Sequence, residues 1–160
     1  MYEKFDRTDR CYALFPDKGV EVILPPDVNY RVSARVIQDE EWEKIKDNKK
    51  NGFTELIRRV INFEIVNDDN TTRTEFDSPI QLTVYFSYNE YKKADYGNVL
   101  KLAFLPKDRN EWKLFDKEKH KLDKHPITNW EARPSDPDSW FGFFTAEFEK
   151  WGDPSVSVGR

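Results

Sequence analysis

The sequence predicts an all-β fold, an immunoglobulin-like β-sandwich of seven to nine strands with one short helix and a long loop. Three observations indicate this fold. Apolar and polar residues alternate in short segments, turn-forming residues separate those segments, and aromatic residues make up 15% of the chain and can fill a core. At 160 residues the chain has the length of one domain. We therefore expect a single sandwich over residues 1–160.

The predicted strands follow one another along the whole chain. A period of two, with β-branched and aromatic residues, is typical of strands that bury one face. Gly19 supplies the left-handed position of the first turn. Pro25 and Pro26 end the second strand, because proline has no N–H to donate to a sheet. The segments that show the pattern are 11–15, 20–24, 30–37, 59–66, 76–87, 99–105, 111–115, 141–149 and 154–159.

Residues 76–87 give the clearest alternation of the chain. The residues predicted to point inward are Ile80, Leu82, Val84 and Phe86, and those predicted to point outward are Gln81, Thr83, Tyr85 and Ser87. In the strand predicted at 141–149, Phe144, Ala146 and Phe148 form the inward face, which places Phe143 on the opposite face. The connection between 99–105 and 111–115 is short and rich in turn formers, so these two segments predict a β-hairpin.

One segment lacks the strand pattern and predicts a short helix, Glu40–Lys46. Asp39 is placed to cap its start, and acidic residues followed by lysines match the direction of the helix dipole. Trp42 and Ile45 are three positions apart, as residues on one helical face are. Gly52 then marks the end of the following polar connection.

The longest connection is Asp116–Ser139, which is rich in lysine, aspartate and proline and has no clear period. It contains four candidate metal ligands, which are His120, His125, Asp136 and Asp138. Zinc needs three or four ligands and calcium six to eight oxygens, and neither pair supplies such a set. We therefore expect solvated histidines and turn-forming aspartates here, and no metal or cofactor.

Three stretches of the sequence resemble a known β-sandwich module. GVEVILPPDVNYRVSARVI has a strand, a Pro-Pro element and an alternating strand, and FDSPIQLTVYFS has a proline before alternating aliphatic residues. VLKLAFLPKDRNEWKLF has a tryptophan just after a hairpin turn. These features are similar to the module shared by zonula occludens proteins, ankyrins and netrin receptors, and to its bacterial relatives. The sequence departs from the module at Asp27, where the usual residue is glycine, and at the helix near Trp42. The resemblance implies a non-catalytic interaction module.

Composition limits the classes of function and the compartment. The single cysteine, Cys11, excludes an internal disulfide framework, and the net charge of −4 disfavours nucleic-acid binding. The sequence has no glycine-rich phosphate loop and no nucleophile elbow. It also lacks an apolar run that could span a membrane and an N-terminal signal peptide, so we expect a soluble, cytoplasmic protein. A mature fragment of a secreted protein would give the same composition.

Aromatic residues are the candidates for partner binding. Trp130 lies within the long connection, and Trp140 and Phe141 precede the alternating strand that follows it. Their position also predicts that they cap one end of the sandwich. Tryptophan is enriched at the centres of protein interfaces, but Trp130 could also fold back to cover one end of the sandwich. The sequence thus predicts a binding or scaffolding module with a protein partner. The alternatives are a carbohydrate-binding module that uses exposed Trp and Tyr, and, last, an enzyme with a site assembled from loops.

Overall fold

The computed structural model describes residues 2–3, 5–6, 11–15, 19–24, 30–57, 60–67, 69–73, 75–106, 109–126, 139–150 and 155–160. Thirteen strands and two helices lie in this part of the chain. The strands are β1 (Tyr2–Glu3), β2 (Phe5–Asp6), β3 (Cys11–Phe15), β4 (Val20–Leu24), β5 (Tyr30–Val36), β6 (Lys49–Lys50), β7 (Ile61–Asn67), β8 (Glu75–Ser87), β9 (Lys101–Leu105), β10 (Glu111–Leu114), β11 (Asp123–Pro126), β12 (Trp140–Lys150) and β13 (Ser155–Gly159). The helices are α1 (Asp39–Ile45) and α2 (Tyr88–Lys93).

The strands form two sheets. The seven-stranded sheet has the order β1-β5-β7-β13-β9-β10-β6, and the six-stranded sheet has the order β11-β12-β8-β4-β3-β2. The described pairs are antiparallel except for β10 with β6. The two longest strands, β8 and β12, pair near the middle of the six-stranded sheet and fix its register.

The main core lies between the two sheets. The predicted inward side chains of β8 are buried there, and Phe63 and Ile65 of β7 meet them from the other sheet. Phe144 and Ala146 of β12 also point into this core, as predicted. Burial of these aliphatic and aromatic side chains, at about 25 cal/mol per Å² of apolar surface, is the main force that holds the sheets together. The all-β sandwich predicted from the sequence is confirmed.

A second, smaller core lies on the outer face of the seven-stranded sheet. Ala103 and Leu105 of β9 and Trp112 of β10 point away from the main core, and α1 and the segment after it cover them. The Trp112 side chain is fully buried, and its Nε1 donates to the carbonyl of Ile45 over 3.3 Å. The buried members of this core are Ile37, Phe53, Leu56, Val60, Ala103, Leu105 and Trp112, with Trp42, Ile45 and Leu114 packed against them. Trp42 and Ile45 thus face one way, as their spacing predicts.

Each of the nine predicted strand segments overlaps one strand of the structure, namely β3, β4, β5, β7, β8, β9, β10, β12 and β13. The hairpin of β9 and β10 is confirmed as an antiparallel pair. The predicted helix is also confirmed, although it begins at Asp39, so that Gln38 occupies the capping position without a side-chain capping bond. Neither described helix is long and apolar enough to cross a membrane.

Four strands and one helix were not predicted. Three of the strands, β1, β2 and β6, are only two residues long. The fourth, β11, lies inside Asp116–Ser139, so the prediction of one continuous loop there is wrong, and pairing with β12 explains the difference. Helix α2 begins where β8 ends, and a capping box starts it. The Ser87 hydroxyl accepts from the Glu90 N–H, and the Glu90 carboxylate accepts from the Ser87 N–H.

Candidate functional site

Four rings form an aromatic surface on the outer side of the six-stranded sheet. They belong to Tyr85 of β8, Trp140 and Phe143 of β12, and His125 of β11, and we call this set the aromatic face. Tyr85 and Phe143 point outward because the next residue of each strand points into the main core. Antiparallel pairing places Phe143 directly opposite Tyr85 on one side and His125 on the other. Register thus brings together rings from three strands.

The rings of the aromatic face are in contact but not coplanar. The centroids of Tyr85 and Trp140 are 6.4 Å apart with a tilt of 38°. Tyr85 and Phe143 are 5.6 Å apart with a tilt of 52°. His125 stacks on Phe143 at 4.7 Å and 23°. The result is a continuous but uneven row of rings, with separations that are typical of favourable aromatic pairs.

Gly19 holds the Trp140 end of the aromatic face in place. Its φ is +69°, the left-handed conformation that the turn before β4 requires and that the sequence predicts. A Cβ atom at this position would lie 2.6 Å from Cζ2 of Trp140, so the indole packs directly over the glycine backbone. The Gly19 carbonyl also accepts from the Tyr85 N–H over 2.8 Å. One glycine therefore supports two members of the site.

Polar side chains border the aromatic face. Thr83 and Thr145 are paired next to Tyr85 and Phe143, and the Nε2 atom of His125 is 3.3 Å from the Thr145 hydroxyl. Partial burial of the Tyr85 phenol, helped by the negative charge of Glu21, raises the pKa of Tyr85 above its usual value. The phenol is therefore neutral at physiological pH and can donate a hydrogen bond. Apolar rings bordered by hydroxyls favour binding through burial and a few directional bonds.

The aromatic face is partly exposed to solvent. Tyr85, Trp140 and Phe143 are half-buried, and 42% of the His125 side chain is exposed. Neither of the two apolar clusters among the described residues contains any of the four rings. An apolar surface on the outer side of a sheet is informative, because ordinary alternation places polar residues there.

The three residues predicted for partner binding lie in different parts of the protein. Trp140 belongs to the aromatic face. The Phe141 side chain is 1% exposed and packs in the main core against Tyr91 at 4.7 Å, so it cannot contact a partner directly, and we leave it out of the site. Trp130 lies outside the described residues, and its two predicted roles stay open.

The residues considered as metal ligands are not brought together. His120 lies against Phe104 and Phe115, whereas His125 is on the aromatic face. Asp136 and Asp138 lie outside the described residues. Within the described ranges there is no group of three or more His, Cys, Asp or Glu that could hold a metal ion.

His120 has a structural environment of its own. Its Nδ1 atom accepts from the Asp116 N–H over 2.8 Å, which requires the neutral ring with its proton on Nε2. Burial lowers the pKa of His120 below its usual value, and the nearby Lys119 charge acts in the same direction. The histidine is thus held neutral as part of the turn that leads to β11.

Three of the four members of the site were not predicted from the sequence as binding residues. Tyr85 and Phe143 were predicted on outward faces without a role, and His125 was predicted to be a solvated loop residue. The available signal was the aromatic residue at an outward position in both β8 and β12. Their contact with each other and with His125 depends on strand register.

No family model, curated protein or solved structure matches this chain. The resemblance to the module of zonula occludens proteins, ankyrins and netrin receptors therefore stays a prediction, and the function is argued from the site itself.

Proposed function

We propose that this protein is a non-enzymatic binding module that docks a protein partner on the aromatic face. The observation that carries the proposal is the row of partly exposed rings on the outer side of the six-stranded sheet. Tyrosine, tryptophan and phenylalanine are enriched at the centres of protein interfaces, and charged groups are depleted there. Thr83 and Thr145 supply neutral hydrogen-bonding groups at the border. The carboxylates of Glu21, near Tyr85, and Asp123, near His125, place charge at the rim and not among the rings.

The tilts between the rings favour a protein over a sugar chain. Sugars stack on flat aromatic platforms, and a chain of sugar units needs successive rings in similar planes. Here Tyr85 is tilted by 38° from Trp140 and by 52° from Phe143, and His125 stacks on Phe143. Side chains of a protein partner can adapt to such an uneven surface. The resemblance to interaction modules agrees with a protein partner. The proposal includes an immunoglobulin-like type for the sandwich.

A photo-reactive phenylalanine analogue at position 143 tests the proposal. In cells that express the protein, it should form a covalent adduct with one protein partner. The matched control carries the analogue at Tyr96, a 54% exposed aromatic residue that lies outside the aromatic face. A partner captured from position 143 and not from position 96 supports the proposal.

Affinity measurements with the purified partner then test the energetics. Phe143→Ser should weaken binding about tenfold or more, as expected for an aromatic residue at the centre of an interface. Tyr96→Ser should leave the affinity unchanged, and thermal unfolding of both variants controls for loss of fold. Equal affinities for Phe143→Ser and wild type would rule out the aromatic face as the docking surface.

Carbohydrate binding is the second candidate, because Trp140 and Tyr85 lie beside threonine hydroxyls. A glycan array with the wild-type protein tests it. Binding of a sugar at millimolar concentration that is lost in Phe143→Ser would replace the protein partner with a glycan. If no sugar binds, the carbohydrate interpretation is abandoned.

A further inference from the structure

A separate, mostly apolar pocket lies where β9 of the seven-stranded sheet faces β11 and β12 of the six-stranded sheet. Its volume is about 370 Å³, within the range of small-molecule sites. The apolar residues that line it are Leu100, Leu102, Leu114, Phe115, Leu122 and Phe144. The pocket opens between the sheets and shares no residue with the aromatic face.

Three lysines and one aspartate are the charged residues that line this pocket, namely Lys101, Lys117, Lys124 and Asp123. Lys124 is paired with Phe144, so its stem follows the inner side of β11. Its ammonium group donates to the Gly97 carbonyl over 2.6 Å, and that of Lys101 donates to the Gly52 carbonyl over 2.7 Å. The lining therefore has an excess of positive charge.

These lysines have no carboxylate partner among the described residues. Among the described residues, the side chains of Lys101 and Lys124 each bond to a neutral carbonyl, and the salt bridges of this part of the chain involve neither of them nor Lys117. Asp123 is 3.4 Å from His125 and also accepts from the Lys124 N–H. Burial without a counter-charge lowers the pKa of Lys124. An anion at the pocket would therefore stabilise its charged form.

We propose that this pocket binds an amphiphilic carboxylate, an aliphatic chain of medium length with one carboxylate at its end. The chain lies against Leu114, Leu122 and the exposed edge of Phe115, where each methylene group that leaves water favours binding. The carboxylate lies at Lys117 and Lys124, where ammonium groups offer charge-assisted hydrogen bonds. The Lys101 ammonium group is on the outer side of β9, where it donates to Gly52. Charge complementarity selects the carboxylate over a neutral chain, and a volume of about 370 Å³ suits a chain of limited length. This inference does not depend on the aromatic face.

Octanoate and 1-octanol are matched probes, because they share a chain and differ in the charged group. Binding is measured by calorimetry and by amide chemical shifts at concentrations below aggregation of either probe. Octanoate should bind and should shift amide signals of Leu100, Leu122 and Phe144. Failure of octanoate to bind at millimolar concentration, or shifts confined to other regions, overturns the proposal.

Lysine variants then test the role of charge. Lys124→Met and Lys117→Met keep most of the stem and should each weaken octanoate binding by about tenfold, while 1-octanol binding stays unchanged. Lys117 is exposed, so its variant keeps the test valid even where Lys124→Met does not fold. The control is Lys92→Met, an exposed lysine of α2 that does not line the pocket. If wild type binds both probes equally, or if both pocket variants bind octanoate as wild type does, the lysines serve only to protect the edge of the sheet and the proposal is wrong.

Discussion

The outer faces of the two sheets differ in what happens to their aromatic residues. On the seven-stranded sheet, Trp112 points outward and is completely buried beneath α1 and the segment that follows it. On the six-stranded sheet, Tyr85, Trp140 and Phe143 point outward and stay partly exposed. The same kind of residue, at the same kind of strand position, thus serves a core in one sheet and a surface in the other.

This difference shows why an outward aromatic residue cannot be assigned a role from its strand alone. The chain between β5 and β7 is long enough to supply a helix and a cover for Trp112. Burial of a large ring stabilises the fold, whereas a ring left at the surface gives up part of that energy. The partly exposed rings of the aromatic face forgo part of that stabilisation, and this is why the proposed function places a partner on them.

The largest expected effect is on the free energy of unfolding when Trp112 is truncated, and Trp140 is the comparison. Trp112→Ala should lower the free energy of unfolding by about 3–5 kcal/mol, since it empties the second core and removes the bond to Ile45. Trp140→Ala should cost less, about 2 kcal/mol, because a partly exposed ring gives up less buried area on truncation. Urea denaturation followed by circular dichroism measures both. Similar costs at the two positions would mean that the aromatic face is a core and not a docking surface.

The substitution Gly19→Ala tests whether the Gly19 backbone holds the Trp140 ring of the aromatic face in place. Gly19→Ala should cost about 1–3 kcal/mol, because φ is +69° and the new Cβ would meet the Trp140 ring at 2.6 Å. It should also change the near-ultraviolet circular dichroism of the indole. The matched variant is Gly52→Ala, also at a positive φ, whose Cβ would meet the Leu114 side chain beside the second core. An unchanged Trp140 signal in Gly19→Ala would contradict the packing described above.

The pH dependence of the unfolding free energy should reveal the lowered pKa of His120, a residue that belongs to neither outer face. Its pKa is lowered in the folded state, so the unfolded chain binds the proton more readily. The contribution of His120 is therefore complete above about pH 6.5, the pKa of a free histidine, and is lost as pH falls through the folded pKa. Denaturation midpoints between pH 8 and pH 5 measure it, with His120→Asn as control. As pH falls, the denaturation midpoint of the variant should decrease less than that of wild type. A larger decrease in the variant would mean that the pKa of His120 is not lowered by folding.

The smallest expected effect concerns the ion pair between the helical cover and the sheet. Arg35 of β5 donates to both carboxylate oxygens of Glu41 in α1, at 2.7 and 2.9 Å. Both side chains are exposed, so a double-mutant cycle with Arg35→Ala and Glu41→Ala should give a coupling of about 0.2–1 kcal/mol that weakens with added salt. A coupling above about 2 kcal/mol would mean that this ion pair, and not packing in the second core, holds α1 against the sheet.

Much of the fold could be predicted because the relevant signals are local. The alternation in β8 and β12 records which side of each strand faces the core, and Trp42 and Ile45 record the buried side of α1. Helix α2 also had a local signal, the pair of Ser87 and Glu90, but the strong strand pattern before it concealed the start of the helix. These features follow from the conformation of a few neighbouring residues.

The sequence by itself determined which residues of β8 and β12 point outward, since side chains alternate along any strand. Only the tertiary structure decided that Tyr85, Phe143 and His125 touch, because their neighbourhood depends on the register of three strands that are distant in the chain. It likewise decided that Trp112 is fully buried while Trp140 stays partly exposed, and that Lys124 lies at an apolar pocket. Long-range pairing and the placement of connecting segments set these contacts, and no local pattern encodes them.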